Sequence, residues 1–600
     1  SWWTYGGDAS ITMTGGSLEF ADVGIQIYHN PAFSFTENIT GGTISTPLDF
    51  IVSRENFSPE GGTVHLVGSN DADLDMVPGS GLCNLVINKS SKSGSAGQYP
   101  KQPRFNVSGN TSKSNTVTAL ANLDINGAFT ILDGYFVPPP VMNVAGDWDN
   151  QVNDNAFFEG TGMVYLDGPM SSAAILKSET FFDLFILKTS DEPDALMINS
   201  DQSVTVLNDL SIQNGSLYML INSMLDVDND ITIENEAGLF SNAGSVYIGG
   251  DWINYNTILD ANSGFHCGNS AVAFDGPEHQ YFASNMTIER FYDLVIDKAG
   301  ASGDDIFEPL GNIRVIHELD IVDGFWFDSP AGNVHEFNGD VDVAVNCKWI
   351  DDIGTILFMG TTASSFSFYG GGNFENIGIN MSDPGVHVLF DGQLEFNYLN
   401  INAGNLQMTK NNYINHSGIF IDDDGRLDLD AGAYLASVPG AVITVYTGGE
   451  IAFNGNPGDN CVVTTNGGTG FYHFNIEGEI AAEYTLFSNM SADGINVMPG
   501  ASVDPIHVFN HCEFSFGETG GTYLTVNSNQ NLICDEATFF SNSWGGNSNV
   551  RKTADVGEIT FINYSGDFAG EDYDDDPFNR IQWGNNSREI ELTLFLEGPF

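Results

Sequence analysis

Four short blocks recur in one order along the chain, and that recurrence constrains the fold more than any other feature. The first sets apolar residues two apart and ends on Gly: TVHLVG from Thr63, MVYLDG from Met163, AVAFDG from Ala271 and TILFMG from Thr355. The second reads CNLVINKS from Cys83, FDLFILKT from Phe182, YDLVIDKA from Tyr292 and, more weakly, ENIGINMS from Glu375. The third places apolar, apolar, Gly and apolar residues at fixed offsets. It fits Phe129/Ile131/Gly134/Phe136, Leu210/Ile212/Gly215/Leu217, Leu319/Ile321/Gly324/Trp326 and Leu399/Ile401/Gly404/Leu406. The fourth is Gly146-Asp147-Trp148 and Gly250-Asp251-Trp252, decaying to Gly339-Asp340-Val341. Alternation over so few positions, bounded by Gly, Asn and Asp, describes very short strands, and helical periodicity is nearly absent.

The step between blocks is shorter than the long repeat. It is 21 residues from Thr63 to Asn84, 20 from Met163 to Asp183, 22 from Ala271 to Asp293 and 21 from Asp183 to Val204. A step shared by different motifs is the length of one coil in a stack, each strand pairing with the strand one coil away. The expected fold is therefore all-β, a right-handed parallel β-helix (solenoid) with coils of about 21 residues. Residues 225–240 resemble one extra coil. About 27 such coils at the ~4.8 Å inter-strand distance would give a rod roughly 130 Å long. A propeller blade repeats at about 40–50 residues, too long for this step. Tandem β-sandwiches do not explain the extra coil.

Four regions follow: 1–81, the opening coils; 82–440, the long repeats; 441–583, further coils of changed character; and 584–600, a linker and the start of a following β domain. Pro138, Pro139 and Pro140 mark a loop, because Pro cannot donate to a strand ladder. The apolar segment LTLFLEGPF from Leu592 reads as cut short. No signal peptide begins at Ser1, which reads as a mature or trimmed start.

Charge narrows the partners. Eighteen Lys and Arg face 79 Asp and Glu, a net charge of −61. Such a field repels nucleic acid and anionic lipid, and it suits divalent cations, high salt or plain solubility. With 43 Phe and 20 Tyr the chain has the material for a core. Six Cys without a CxxC make neither a disulfide scaffold nor a zinc site. No run approaches the ~18 apolar residues of a membrane-spanning helix.

The blocks resemble the secreted β-helix repeat proteins of cell surfaces in the Bacteroidota, many of them adhesin-like exports of the type IX secretion system. The resemblance rests on residues 182–188, 210–217 and 250–252, which match a "tF-x-nL-x-I-nK" segment, an "L-x-I-x-x-G-x-L" coil and a "GnW" coil. EDYDDDPFNRIQW at 571–583, followed by 592–600, is similar to the point where such proteins pass into a sorting or further surface domain. These motifs are architectural. They imply an extracellular, surface-displayed segment whose partners are a glycan or surface ligand, copies of itself, other surface proteins and the secretion machinery.

Candidate chemistry is sparse. Asp226, Asp228 and Asp230 alternate, so on one strand they would share a face able to converge on Ca²⁺. Asp574, Asp575 and Asp576 precede Pro577 in a turn that offers Ca²⁺ the same chemistry, and Asp422, Asp423, Asp424, Asp428 and Asp430 form a similar group. A solvated acidic face is the better reading of these groups, and no cofactor is required. His266-Cys267 and His511-Cys512 are adjacent on strands, so each pair points to opposite faces and cannot chelate one ion. Trp349-Ile350-Asp351-Asp352 loosely resembles a pectate lyase stretch, but its His is replaced. A lyase acting on uronates also needs cations and a Lys or Arg base, which are scarce here. The reading is a non-enzymatic structural or adhesive segment. The alternatives are a polysaccharide lyase or hydrolase of the β-helix type, and a Ca²⁺-dependent self-assembly module. The sequons at Asn38, Asn106 and Asn285 are frequent by chance in an Asn- and Thr-rich chain.

Overall fold

The computed structural model describes residues 2–4, 8–30, 32–90, 115–169, 172–189, 196–298, 305–328, 332–541 and 548–584. Asn106, residues 585–600 and the expected start of a following domain lie outside them. Three single-turn 3₁₀ segments are the only helical structure among the described residues. Everything else is strand, turn or loop, including the Pro138-Pro139-Pro140 connection. No helix of the described residues is long and apolar enough to cross a membrane.

The chain forms two compact units, Ser1–Asn312 and Ile313–Phe600, so the division falls inside the long-repeat region. Each unit is a stack of parallel coils, a β-solenoid. The coils run to about 23 residues, about 23 turns along the chain. That is a longer coil and fewer turns than the block spacing predicts. The registers show why. Thr63 lies beside Asn84, Met163 beside Asp183 and Ala271 beside Asp293, so three of the four steps are true coil lengths. The fourth is not: Val204 lies beside Glu179, and Leu184 beside Leu210. Turns absorb added residues without disturbing the strands, and Trp252 reaches its neighbour only at Phe282.

The blocks prove to be successive rungs of one inward ladder. In the first unit Val164, Leu184, Leu210, Ile231, Trp252 and Phe282 follow each other in register. Of these only Val164 shows any exposure, at 3%. Ile231 belongs to the extra coil. Its strands Met224–Val227, Ile231–Ile233 and Gly238–Phe240 pair with a coil on each side, so 225–240 is a complete turn. In the second unit Leu399, Ile419, Ile443, Phe474, Ile495, Leu524 and Val550 form a comparable ladder. Stacking identical faces at the inter-strand distance removes apolar surface from water and leaves few strand edges bare.

Candidate functional site

Polar side chains divide into an outer set that ties turns together and an inner set that is buried. The acidic groups singled out from sequence belong mostly to the outer set. Asp226 lies within strand Met224–Val227 and is half-buried, while Asp228 and Asp230 lie in the turn that follows. They therefore do not share a strand face. Asp230 Oδ1 accepts the Asp251 N–H at 2.8 Å, one rung of a turn ladder. Asp183 accepts from Asn208 Nδ2 at 2.7 Å, Asp209 from Asn229 Nδ2 at 2.7 Å, and Asp251 from the Tyr281 N–H at 2.8 Å. Each carboxylate holds the next coil by a charge-assisted hydrogen bond.

The other acids are engaged separately as well. Asp574 Oδ2 accepts Trp583 Nε1–H at 2.8 Å. Burial, reinforced by Glu571, Asp576 and Asp575, pushes its carboxyl up to about 6. Asp575 pairs with Arg551 Nε at 3.0 Å, and Asp576 accepts the N–H groups of Phe578 and Ile581 at 3.2 and 2.5 Å. Asp422 closes a turn through its carbonyl to Gly425 N–H, and Asp424 takes a positive φ of 67°. Asp428 is bonded by Asn405 and Arg426 at 2.7 and 2.8 Å, and Asp430 by Gln407 at 3.1 Å.

The His-Cys pairs do split between outside and core, but not as neighbours on a strand: Cys267 follows strand Gly264–His266, and His511 and Cys512 lie between strands Ser502–Asn510 and Glu513–Ser515. His266 lies outside, its ring 4.1 Å from that of Phe240, while Cys267 is buried. His511 stacks at 4.2 Å on Tyr484 and Cys512 is buried. Asn38 and Asn285 are exposed. In the lyase-like stretch, Trp349 and Asp351 are fully buried, with Asp351 Oδ1 accepting the Gly354 N–H at 2.5 Å. Nearby, Asp328 Oδ2 meets His335 Nε2 at 3.1 Å and Asp328 Oδ1 accepts from Asn333 Nδ2 at 2.7 Å. Burial, then the Asp328 charge, pushes Asp351 up to about 6.

Sequence reasoning missed the inner set. Lys89, Lys188, Lys298 and Lys552 point into the solenoid and are at most 1% exposed. Lys188 Nζ donates to the carbonyls of Ala145 and Asp167, both at 2.7 Å. Lys552 reaches those of Val526 and Ser528 at 3.1 Å, and Lys89 that of Pro47 at 2.9 Å. Burial lowers the ammonium of Lys89, Lys188 and Lys298 to about 8 in each case. The signal was present in FDLFILKT, where Leu184, Ile186 and Lys188 occupy one face. The repeated Gly of the third block answers to the same lysine. A Cβ on Gly215, whose φ is +71°, would lie 2.7 Å from Lys188 Cβ. Beneath Gly404 the corresponding contact is Met381, at 2.6 Å, where the second block has lost its lysine.

A second inner feature accompanies the Gly-Asp-Trp block. Trp148 Nε1 and Asn150 Nδ2 donate to Glu179 Oε2 at 2.8 and 3.0 Å. One long repeat later, Asn254 and Ser284 donate to Glu289 Oε2 at 2.7 and 2.8 Å. Burial raises Glu179 to about 8 and Glu289 to about 7, against these hydrogen bonds. A folded-state pKa above the ordinary 4.5 means that the folded chain holds a proton the unfolded chain has lost. Its stabilising share is present below about 4.5 and fades as pH rises toward 8. Lys188, depressed from 10.5 to about 8, acts in the next window and favours folding increasingly above 8. Glu179→Gln is therefore expected to gain stability relative to the unaltered chain as pH climbs through that first window. Paired thermal unfolding across pH measures this, and a constant difference would count against the buried acid.

Comparison with known protein families, with curated proteins and with solved structures finds no match for this chain. The functional reading therefore rests on the side chains themselves.

Proposed function

We propose that this chain is a structural and adhesive segment of a large secreted cell-surface protein. Its stacked coils hold outward side chains in register for a glycan, a surface or a neighbouring copy, so that many weak contacts act together. The observation that carries this reading is the inward use of cationic side chains. Four of the 18 basic residues are spent on interior oxygens. Arg314, Arg426, Arg551 and Arg580 are ion-paired with Glu336, Glu450, Asp575 and Asp555. That distribution supports display over uronate cleavage, which calls for accessible cations beside the substrate carboxylate.

The test is a panel of uronate polymers and neutral glycans incubated with the chain, followed for retention, unsaturated ends and new reducing ends. Retention without turnover is the expected result. Release of unsaturated or reducing ends above the buffer control would overturn the proposal in favour of the lyase or hydrolase alternative.

A further inference from the structure

Lys298 stands apart from the other inward lysines in what it meets. Lys89, Lys188 and Lys552 point at main-chain oxygens, which are chemically inert toward an amine. Lys298 Nζ contacts the Glu278 carbonyl at 2.6 Å and also the side-chain amide oxygen of Gln280. Both Lys298 and Gln280 are fully buried. Gln280 cannot turn away, because its Nε2 donates to the carbonyls of Ile248 and Gly250 at 2.7 and 2.6 Å. Those two bonds also fix which end of the amide faces the lysine.

A carboxylate able to carry a proton stands beside this pair. Asp305 is 7% exposed, lies close enough to Lys298 to influence its charge, and has a buried Oδ1 with no hydrogen-bond partner. Asp275, half-buried, flanks the same ammonium.

We propose that Lys298 and Gln280 become joined by an intramolecular isopeptide bond, a covalent strut across the coil corner. The neutral Nζ attacks Gln280 Cδ, a new C–N bond forms, and the Cδ–Nε2 bond breaks. A proton from Nζ passes through the Asp305 or Asp275 carboxylate to the departing Nε2, which leaves as ammonia. Amine plus primary amide become secondary amide plus ammonia, with no oxidant or reductant needed. Burial supplies two conditions. It keeps water from competing for Cδ, and it lowers the Lys298 ammonium to about 8, so that free amine is present near neutral pH. Fixed apposition replaces a bimolecular encounter.

Intact mass spectrometry of the purified full chain after incubation at mildly alkaline pH tests this. The expected result is a mass about 17 Da below that of the sequence, the loss of one ammonia. Peptide mapping should recover residues 280 and 298 in one branched peptide. Lys298→Met and Gln280→Met should each restore the full mass, and Asp305→Asn combined with Asp275→Asn should slow the loss. A full sequence mass for the unaltered chain overturns the proposal. So does a loss that persists in Lys298→Met, which would mark ammonia leaving from another side chain.

Discussion

Replacing Trp148 by Ala is expected to cost the first unit about 3–5 kcal/mol. Its ring centroid lies 4.7 Å from that of Phe129 and 4.9 Å from those of Phe157 and Phe181. Removing the indole opens a cavity that the aromatic cluster cannot collapse into, because Phe129 and Phe181 are held by their strands and Phe157 by a backbone bridge to Phe136. It also takes one of the donors from the buried carboxyl of Glu179. Trp148→Phe separates the two contributions. It keeps most of the packing, and the missing N–H should cost about 1–3 kcal/mol. Trp252 provides the comparison within the same unit, since its buried Nε1 has no hydrogen-bond partner. Trp252→Phe should therefore lose less than Trp148→Phe. Denaturant unfolding followed by near-ultraviolet circular dichroism reads all three, and equal losses for the two Phe variants would refute the role given to Glu179.

The second large effect belongs to Lys188. Lys188→Ala is expected to cost about 3–5 kcal/mol, combining lost packing with two carbonyls stripped of their donor. Lys188→Met is the sharper variant. It refills the volume, as Met381 does beneath Gly404. It also removes a charge whose burial is unfavourable, since the ammonium is lowered to about 8. What remains is the cost of leaving the Ala145 and Asp167 oxygens bare, about 1–3 kcal/mol for a buried unsatisfied group. The loss should spread only to adjacent coils, because each coil of a solenoid contacts only its neighbours. Hydrogen exchange would show reduced protection near residues 145, 167 and 215. Unchanged protection there in Lys188→Ala would mean that the lysine is a passenger in the core.

Much of this architecture is legible before any coordinates. Alternation in segments such as MVYLDG and FDLFILKT defines short strands with one inward face, because side chains alternate along extended backbone. The 20- to 22-residue steps identify true neighbours at Thr63 and Asn84, Met163 and Asp183, and Ala271 and Asp293. Val204 departs from that spacing, its neighbour being Glu179, because a turn of altered length shifts the strand without altering its pattern. Asp226, Asp228 and Asp230 show the same limit. Spacing alone puts them on one face, whereas the chain turns after Val227.

What each inward polar group does was decided by the tertiary structure alone. The alternation that buries Leu184 and Ile186 also places Lys188 inside, but nothing local names the oxygens it holds, 21 and 43 residues earlier. Trp148 and Glu179 are separated by 31 residues, and Lys298 and Gln280 by 18. The physical reason is a difference in range. Strand, face and approximate coil length follow from local backbone geometry and the alternation of apolar residues. The partner of a buried charge lies across the coil or one coil away, at a distance in sequence that the intervening turns set.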